Sequence, residues 1–394
     1  MVPLSTKDPE QPWIMIVAGE PSGDAHAAGL VRRLRSLLPR AQFFGSGGRA
    51  LAAEGVELLL EVTQLAAIGP RAALANLGSY VSLLRRLTAE VGRRRPALAV
   101  LVDFPDFNLR LARRLWERKI PVCYFISPQV WAWRESRVKQ IRRYVDLMLV
   151  ILPFEEGYFR ERGVDARYVG NPTASRLRET MADRTRREDS SEPIVALLPG
   201  SRKREVSLIL PVQLDAAAAL ASRMPVRFWL IRAPEISPEL IEALLAAGRN
   251  RHGSLPAVEV RDEPADFLLP QADAAVVKSG TSTLEAMLAG VPFAMVYRLA
   301  FSSWLLLRPL VRPQIYCLAN LVAGERIVPE FIQGQARGGD VADFLETVLK
   351  DRSESERIRR RLAAGAERLG RQDAYDEAAR SIVQKFFKDV EVES

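Results

Sequence analysis

Short apolar runs alternate with amphipathic stretches of helical period along most of this chain. In the first half the runs are Trp13–Ala18, Gln42–Gly45, Leu98–Val102, Val122–Ile126 and Leu147–Leu152. The rhythm restarts at Ile194–Leu198, Val226–Ile231, Ala257–Val260, Ala274–Val277 and Phe293–Val296. Near-continuous apolar runs of strand length, separated by helices, predict parallel sheets covered on both faces. Between the halves, 179–193 is highly charged without an apolar period, which predicts an interdomain linker. After Arg352 the chain reads as one long charged helical tract, with Ile382, Val383, Phe386 and Phe387 as apolar positions near its end. The expected organisation is therefore an N-terminal Rossmann-like domain over 13–178, the linker 179–193, and a C-terminal Rossmann-like domain over 194–351. The tract 352–394 is expected to pack back on the first domain. Open parallel sheets bind ligands at the carboxyl ends of their strands, so two such domains are expected to face each other across a cleft.

The composition fits this picture. A chain of 394 residues exceeds what one core usually organises, and 48% apolar residues suffice for two. No run of about 18 uncharged apolar residues is present, so no segment reads as a membrane span, and Met1–Pro12 lacks the apolar run of a secretory signal. Cys123 and Cys317 are isolated in apolar stretches and read as buried free thiols. The net charge of +8 is nearly all arginine, with eight lysines among 56 basic residues. A basic surface suits nucleic acid, an anionic membrane leaflet or phosphorylated substrates. No nucleic-acid motif and no stripe of basic residues with interleaved aromatics is present, so nucleic acid is not expected as a partner.

The loops after the predicted strands carry the chemistry. After the first comes Gly19-Glu20-Pro21-Ser22-Gly23-Asp24, where glycines allow a tight turn and helix-start amides favour an anion or a polar sugar. Ser22 or Asp24 can equally be a plain helix cap. After Leu98–Val102 comes Asp103-Phe104-Pro105-Asp106-Phe107-Asn108. A desolvated carboxylate there can act as a general base, because burial raises its pKa toward neutrality. Asp106 or Asn108 can instead cap the next helix, which leaves Asp103 as the better base. Ser127-Pro128-Gln129-Val130-Trp131-Ala132-Trp133-Arg134 places two tryptophans on a loop, able to wall a sugar or acyl pocket or simply to join the core. In the second half, Leu198-Pro199-Gly200-Ser201-Arg202 ends a strand and opens a helix, and Ser201, Arg202 and the first amides can hold a diphosphate. The spacing is not that of a Walker loop. Ser279-Gly280-Thr281-Ser282-Thr283-Leu284-Glu285 repeats the arrangement, with Glu285 about one turn in, able to bind a ribose diol or to serve as a first-turn acid.

Read in order, AGEPSGD, DFPDFN, SPQVWAW, LLPGSR, SGTSTLEAM and CLANLVAGERIVPEFIQ resemble the successive motifs of the lipid-A-disaccharide synthase family, over about residues 14 to 335. The resemblance implies the GT-B arrangement of two Rossmann-like domains. It implies inverting transfer of 2,3-diacylglucosamine from UDP to the 6-hydroxyl of 2,3-diacylglucosamine 1-phosphate, with no metal and no cofactor. On the matching positions it makes Asp103 the essential aspartate, Arg202 the diphosphate-proximal arginine and Glu285 the uridine-side glutamate. Asn320 becomes the asparagine of the CLANLVAG stretch that contacts substrate, and Glu20 and Ser22 lie near the sugar. Asp24, Asp106, Asn108, Gln129, Trp131, Gly200, Ser201, Ser279, Gly280 and Thr281 complete the expected binding set. The sequence departs from the family pattern at Pro21, at Gly170-Asn171-Pro172, where a histidine is usual, and at Ile68–Ala73, where a glutamate is usual.

Two other readings compete. A non-catalytic paralogue would bind nucleotide-sugar or lipid without transfer. A UDP-N-acetylglucosamine 2-epimerase would need different carboxylates and a histidine, and neither His26 nor His252 sits in a matching loop. Substrates with several acyl chains also imply a cytoplasmic protein docked on the inner face of the inner membrane. The segment 297–312 is the expected contact, with Phe301, Trp304, Leu305, Leu306 and Leu307 edged by Arg298, Arg308 and Arg312. Acyl-chain length, the identity of the amino sugar, and monomer or homodimer are left open.

Overall fold

The computed structural model describes residues 11–61, 77–132, 134–181, 192–253, 255–300 and 315–387. The chain divides into two compact units, one formed by 1–172 with 372–394 and the other by 173–371. Each holds a sheet in which every described strand pair is parallel. This is the doubly wound α/β fold that the sequence predicts.

In the first unit the strands are β1 (Trp13–Ala18), β2 (Gln42–Gly47), β3 (Glu57–Glu61), β4 (Leu98–Val102), β5 (Val122–Phe125), β6 (Leu147–Val150) and β7 (Ala166–Tyr168), in the order β3-β2-β1-β4-β5-β6-β7. The second unit contains β8 (Ile194–Leu198), β9 (Arg227–Ile231), β10 (Val258–Arg261), β11 (Ala274–Lys278), β12 (Phe293–Tyr297) and β13 (Glu330–Ile332), ordered β10-β9-β8-β11-β12-β13. In both sheets the chain first builds to one side and then crosses back to build to the other. Winding reverses between β1 and β4 in one sheet and between β8 and β11 in the other, and such reversals open a crevice at the strand ends.

The two-residue period of a strand divides the first unit's core between the faces of its sheet. Ile14, Ile16 and Ala18 of β1 join one cluster together with Leu98, Val100 and Val102 of β4 and Cys123 and Phe125 of β5. Met15, Val17, Ala99, Leu101, Val122 and Tyr124 join the other. Both faces are buried, which is why these strands read as continuous apolar runs. Proline repeatedly marks the return to helix: Pro21, Pro105, Pro153 and Pro238 each sit in a first helical turn, where the missing N–H costs nothing.

The charged stretch 179–193 lies mostly outside the described residues. The chain passes from the first unit to the second earlier, at Pro172–Thr173, and returns at Arg371–Gln372. The terminal tract is two helices rather than one. Arg352–Glu367 stays with the second unit, where Arg359 donates to the carbonyls of Gly290 (2.7 Å) and Asp273 (3.0 Å). Gly370, at φ 58°, breaks the tract, and Asp373 restarts it by accepting from the amides of Tyr375 (2.9 Å) and Asp376 (2.8 Å). The last helix, Ala374–Phe386, belongs to the first unit, where Ala378, Ala379, Ile382 and Val383, with Phe387 just beyond it, complete the cluster below β1 and β4.

Ile382 is fully buried there. Ile382→Ala is expected to destabilise the first unit by about 2–5 kcal/mol, read as a lowered urea midpoint, because it removes a large side chain from a packed core. An unchanged midpoint would mean that the terminal helix is a solvated tail.

Candidate functional site

Four loops leave the strand ends at the two reversals, and they contain most of the residues singled out from sequence. In the first unit they follow β1 and β4. Asp103 and Phe104 both adopt left-handed conformations, at φ 47° and 50°, which are uncommon for residues other than glycine. The surroundings hold the strained turn in place. The carbonyl of Asp103 accepts from the Tyr124 hydroxyl at 2.5 Å and from Asn108 Nδ2 at 2.7 Å, and Asn108 also donates to the carbonyl of Val102. The Phe104 ring lies against Gly19 so closely that a Cβ there would come within 2.1 Å of it. Any other residue at position 19 would push the β4 turn away from the β1 turn. Tyr80 and Phe107 flank the same ring, with centroids 5.8 and 5.5 Å away. The Asp103 side chain is half-buried, whereas Glu20 and Ser22 are exposed.

Asp106 is exposed and pairs with Arg134 and Arg137 from the segment after β5, fastening that segment to the β4 turn. Gln129 on the same segment is exposed, and Trp131 is half-buried. Glu155 anchors the segment from the other side. Its Oε1 accepts from Ser127 Oγ at 2.8 Å and Trp131 Nε1 at 3.0 Å, and its Oε2 accepts from the amide of Leu152 at 3.1 Å. Glu155 is 1% exposed, and burial pushes its carboxyl up to about 7 against the pull of those donors. Sequence reasoning passed over it because a glutamate in the first turn of a helix normally needs no further role.

In the second unit the loops follow β8 and β11. Gly200 and Gly280 have φ of 112° and 142°, a region closed to most side chains, so each chain end turns sharply into the next helix. Ser201, Arg202 and Thr281 are exposed. Arg202 approaches Glu205 at 3.6 Å, and Lys278, the last residue of β11, reaches the same carboxylate at 3.3 Å. A Cβ on Gly280 would come within 3.2 Å of Lys278 Nζ, so the lysine lies between the two glycine turns. Lys278 was missed from sequence, although a cation ending an apolar strand is a readable signal. Ser279 donates to the carbonyl of Tyr316 at 3.0 Å. Glu285 accepts from Arg176 at 3.3 Å. Burial pushes its carboxyl up and Asp266 adds to this, while Arg176 opposes.

Three expected binding residues are buried and bonded within the fold. Asp24 is buried, and its carboxylate accepts from the amides of Gly48 (2.6 Å), Ala50 (2.9 Å) and Leu51 (3.3 Å), capping the helix Arg49–Ala53. Asn108 pins the Asp103 turn from a fully buried position. Asn320 is also fully buried. Its Oδ1 accepts from the amides of Ile327 (2.9 Å) and Val328 (3.1 Å), and its Nδ2 donates to the carbonyl of Val328 and to Glu330, each at 2.9 Å. Asn171, where the family pattern has histidine, is buried and donates to the carbonyl of Ile151 at 3.1 Å. Ile68–Ala73, Trp133 and residues 301–312 of the expected membrane contact lie outside the described residues. Among the described residues no group of three His, Cys, Asp or Glu comes together to hold a metal ion, and no helix is long and apolar enough to cross a membrane.

A family model described as lipid-A-disaccharide synthetase matches residues 14–385 of this chain. The chain belongs to the lipid-A-disaccharide synthase family. The synthase of Myxococcus xanthus is 40% identical over 379 residues, covering 95% of this chain and 97% of the relative. That of Anaeromyxobacter dehalogenans is 41% identical over 349 residues, covering 87% and 89%. Among solved structures, the glycotransferase of kitacinnamycin superposes with a TM-score of 0.62 at 17% identity, covering 95% of this chain and 99% of that one. The UDP-GlcNAc 2-epimerase of Neisseria meningitidis gives 0.61 at 11% identity, covering 95% and 100%. At such identities these two share only the fold. As a member of the synthase family the chain is a glycosyltransferase of lipid A biosynthesis, and its GT-B architecture matches that role.

The commitment of Asn320 to the fold has a measurable consequence. Asn320→Ala leaves two amides without their acceptor and is expected to lower the stability of the ligand-free protein by about 1–3 kcal/mol in urea unfolding. A residue that acted only on substrate would leave that midpoint in place.

Proposed function

We propose that the protein transfers 2,3-diacylglucosamine from its UDP-linked donor to the 6-hydroxyl of 2,3-diacylglucosamine 1-phosphate, with inversion, releasing UDP. The observation that carries this reading is the Asp103 turn: a carboxylate at the reversal of a parallel sheet, on a strained backbone held from two sides by Tyr124 and Asn108. These bonds fix the backbone that carries the carboxylate before substrate arrives. Asp103 takes the proton of the acceptor hydroxyl as its oxygen bonds to the anomeric carbon. The bond from that carbon to the diphosphate breaks on the opposite face, and UDP leaves with the electron pair. Arg202, Lys278 and the amides opening the helix Lys203–Ala221 supply positive charge for the departing diphosphate. Glu285 serves the uridine end, and Glu20, Ser22, Gln129 and Trp131 serve the sugar and acyl portions.

An epimerase reading finds little support. His26 Nδ1 meets the Tyr375 hydroxyl at 2.9 Å against the terminal helix, and His252 pairs with Asp215 at 2.9 Å. Neither histidine stands at a strand end. Because both substrates carry acyl chains, we place the protein at the inner face of the inner membrane, in contact through 297–312, and a homodimer is compatible with the reading.

Asp103→Asn is expected to lower turnover by about 10²- to 10⁴-fold with the acceptor and UDP donor, while Asp106→Asn, which weakens the pairs with Arg134 and Arg137 but removes no base, has a smaller effect. The reverse order would identify Asp106 as the base. Full activity in excess EDTA is expected, because Arg202 and Lys278 already supply cationic charge at the proposed diphosphate end. Activity lost in EDTA and restored by magnesium would contradict this. Arg202→Ala should weaken UDP binding, with poor rescue by Arg202→Lys, because lysine lacks the bidentate fork.

A further inference from the structure

Glu155 does more than its place in the helix requires. As the third residue of Pro153–Arg160 it closes a cap through Oε2, which accepts from the Leu152 amide. That cap would form equally well at the surface, at no cost in desolvation. Here the carboxylate is 1% exposed, and its other oxygen turns to the segment after β5, where it accepts from both Ser127 and Trp131. Burying a carboxylate is unfavourable unless its lone pairs are filled. The groups that face it from the β5 segment are the Ser127 hydroxyl and the Trp131 indole, and those from the end of β6 are the amides of Ile151 and Leu152. All four are neutral donors.

The segment they hold is strained at both ends. Ile126 and Arg134 are left-handed, at φ 65° and 61°. Such conformations are costly and persist only where the surroundings over-determine them. One set of restraints comes from Asp106, which fastens Arg134 and Arg137 to the β4 turn. Glu155 supplies the other, and the edge of Trp131 against Phe154, with centroids 5.0 Å apart, completes it. Because β5 is hydrogen-bonded to β4, the segment borders the Asp103 turn.

We propose that Glu155 is a positioning residue for glycosyl transfer, its carboxylate fixing the Ser127–Trp131 segment beside the Asp103 turn so that acceptor meets one loop geometry. This rests on Asp103 being the base. Four donors converge on the group, so the carboxylate form accepts them all, whereas the neutral acid carries a proton where an acceptor is needed. Those donors offset part of the cost of burying the charge, so the group ionises near neutral pH and its bonds to Ser127 and Trp131 change as it does.

The test uses the full-length protein and Glu155→Gln, whose amide keeps the size but loses one acceptor. Its KM for the monosaccharide phosphate acceptor is expected to rise about 10- to 100-fold, while its affinity for UDP, read by calorimetry, is unchanged. In the wild type the fluorescence due to Trp131, obtained by subtracting that of Trp131→Phe, should titrate with a midpoint near pH 7, where burial has placed the Glu155 carboxyl. In Glu155→Gln that titration should vanish, and in Glu155→Asp it should persist with a shifted midpoint. A Glu155→Gln protein with a lowered melting temperature but a wild-type acceptor KM would reduce Glu155 to a helix cap and overturn the proposal. A Trp131 titration that survived in Glu155→Gln would overturn it as well. Should Asp103→Asn prove active, the reading of the base fails, and the fluorescence titration still reports whether Glu155 holds the loop.

Discussion

In a parallel sheet every strand ends at the same edge, so every turn that follows a strand is delivered to one side of its unit. The residues proposed to carry the chemistry depend on that constraint. Asp103, the Trp131 segment and Glu155 follow β4, β5 and β6, three strands hydrogen-bonded in sequence. Arg202 and Lys278 follow or end β8 and β11, which are also paired. Residues far apart in sequence become neighbours because the register of the sheet brings their strands to a common edge. The reversal of winding then leaves the adjacent crossover helices on opposite sides, which keeps the strand ends clear for a ligand.

Sheet order delivers the loops, but polar side chains in the interior set their shape. Asp24 and Glu330 close hydrogen bonds to backbone amides of segments distant in sequence, and Asn108, Glu155 and Asn320 close them to the backbone of their own or adjoining turns. A buried polar group left unpaired is costly, so Asp24, Glu155 and Asn320 disfavour loop conformations that would leave their oxygens without the donors they now have. That explains how Asp103, Phe104, Ile126 and Arg134 can remain in left-handed conformations without glycine.

The same distinction accounts for what could be read in advance. Strands buried on both faces announce themselves as apolar runs, and β1, β4, β8 and β11 were legible for that reason. The strands β3 (Glu57–Glu61), β7 (Ala166–Tyr168) and β13 (Glu330–Ile332) were not, because each is a short sheet edge, half-covered, with too few apolar positions to establish a period. Arg202 and Glu285 stand out in sequence as polar residues in small-residue turns, and Asp103 as a carboxylate in an apolar one. Asp24 and Asn320 looked the same in one dimension, since a polar residue that pairs with backbone and one that awaits a ligand carry the same letters. Glu155 and Lys278 were hidden by ordinary positions, a first-turn acid and a strand-end cation. Only the distances to Ser127, Trp131 and Glu205 distinguish them.

The return of the last helix to the first unit also orders events during synthesis. When residues 1–172 have emerged from the ribosome, the cluster beneath β1 and β4 still lacks Ala378, Ala379, Ile382, Val383 and Phe387. The whole of 173–371 must be translated before that apolar face is covered. The unit begun first is thus finished last, and its nascent form carries an open hydrophobic surface through the making of the other. Closing it requires a contact across most of the chain, a slow and late step that favours chaperone engagement in the interval.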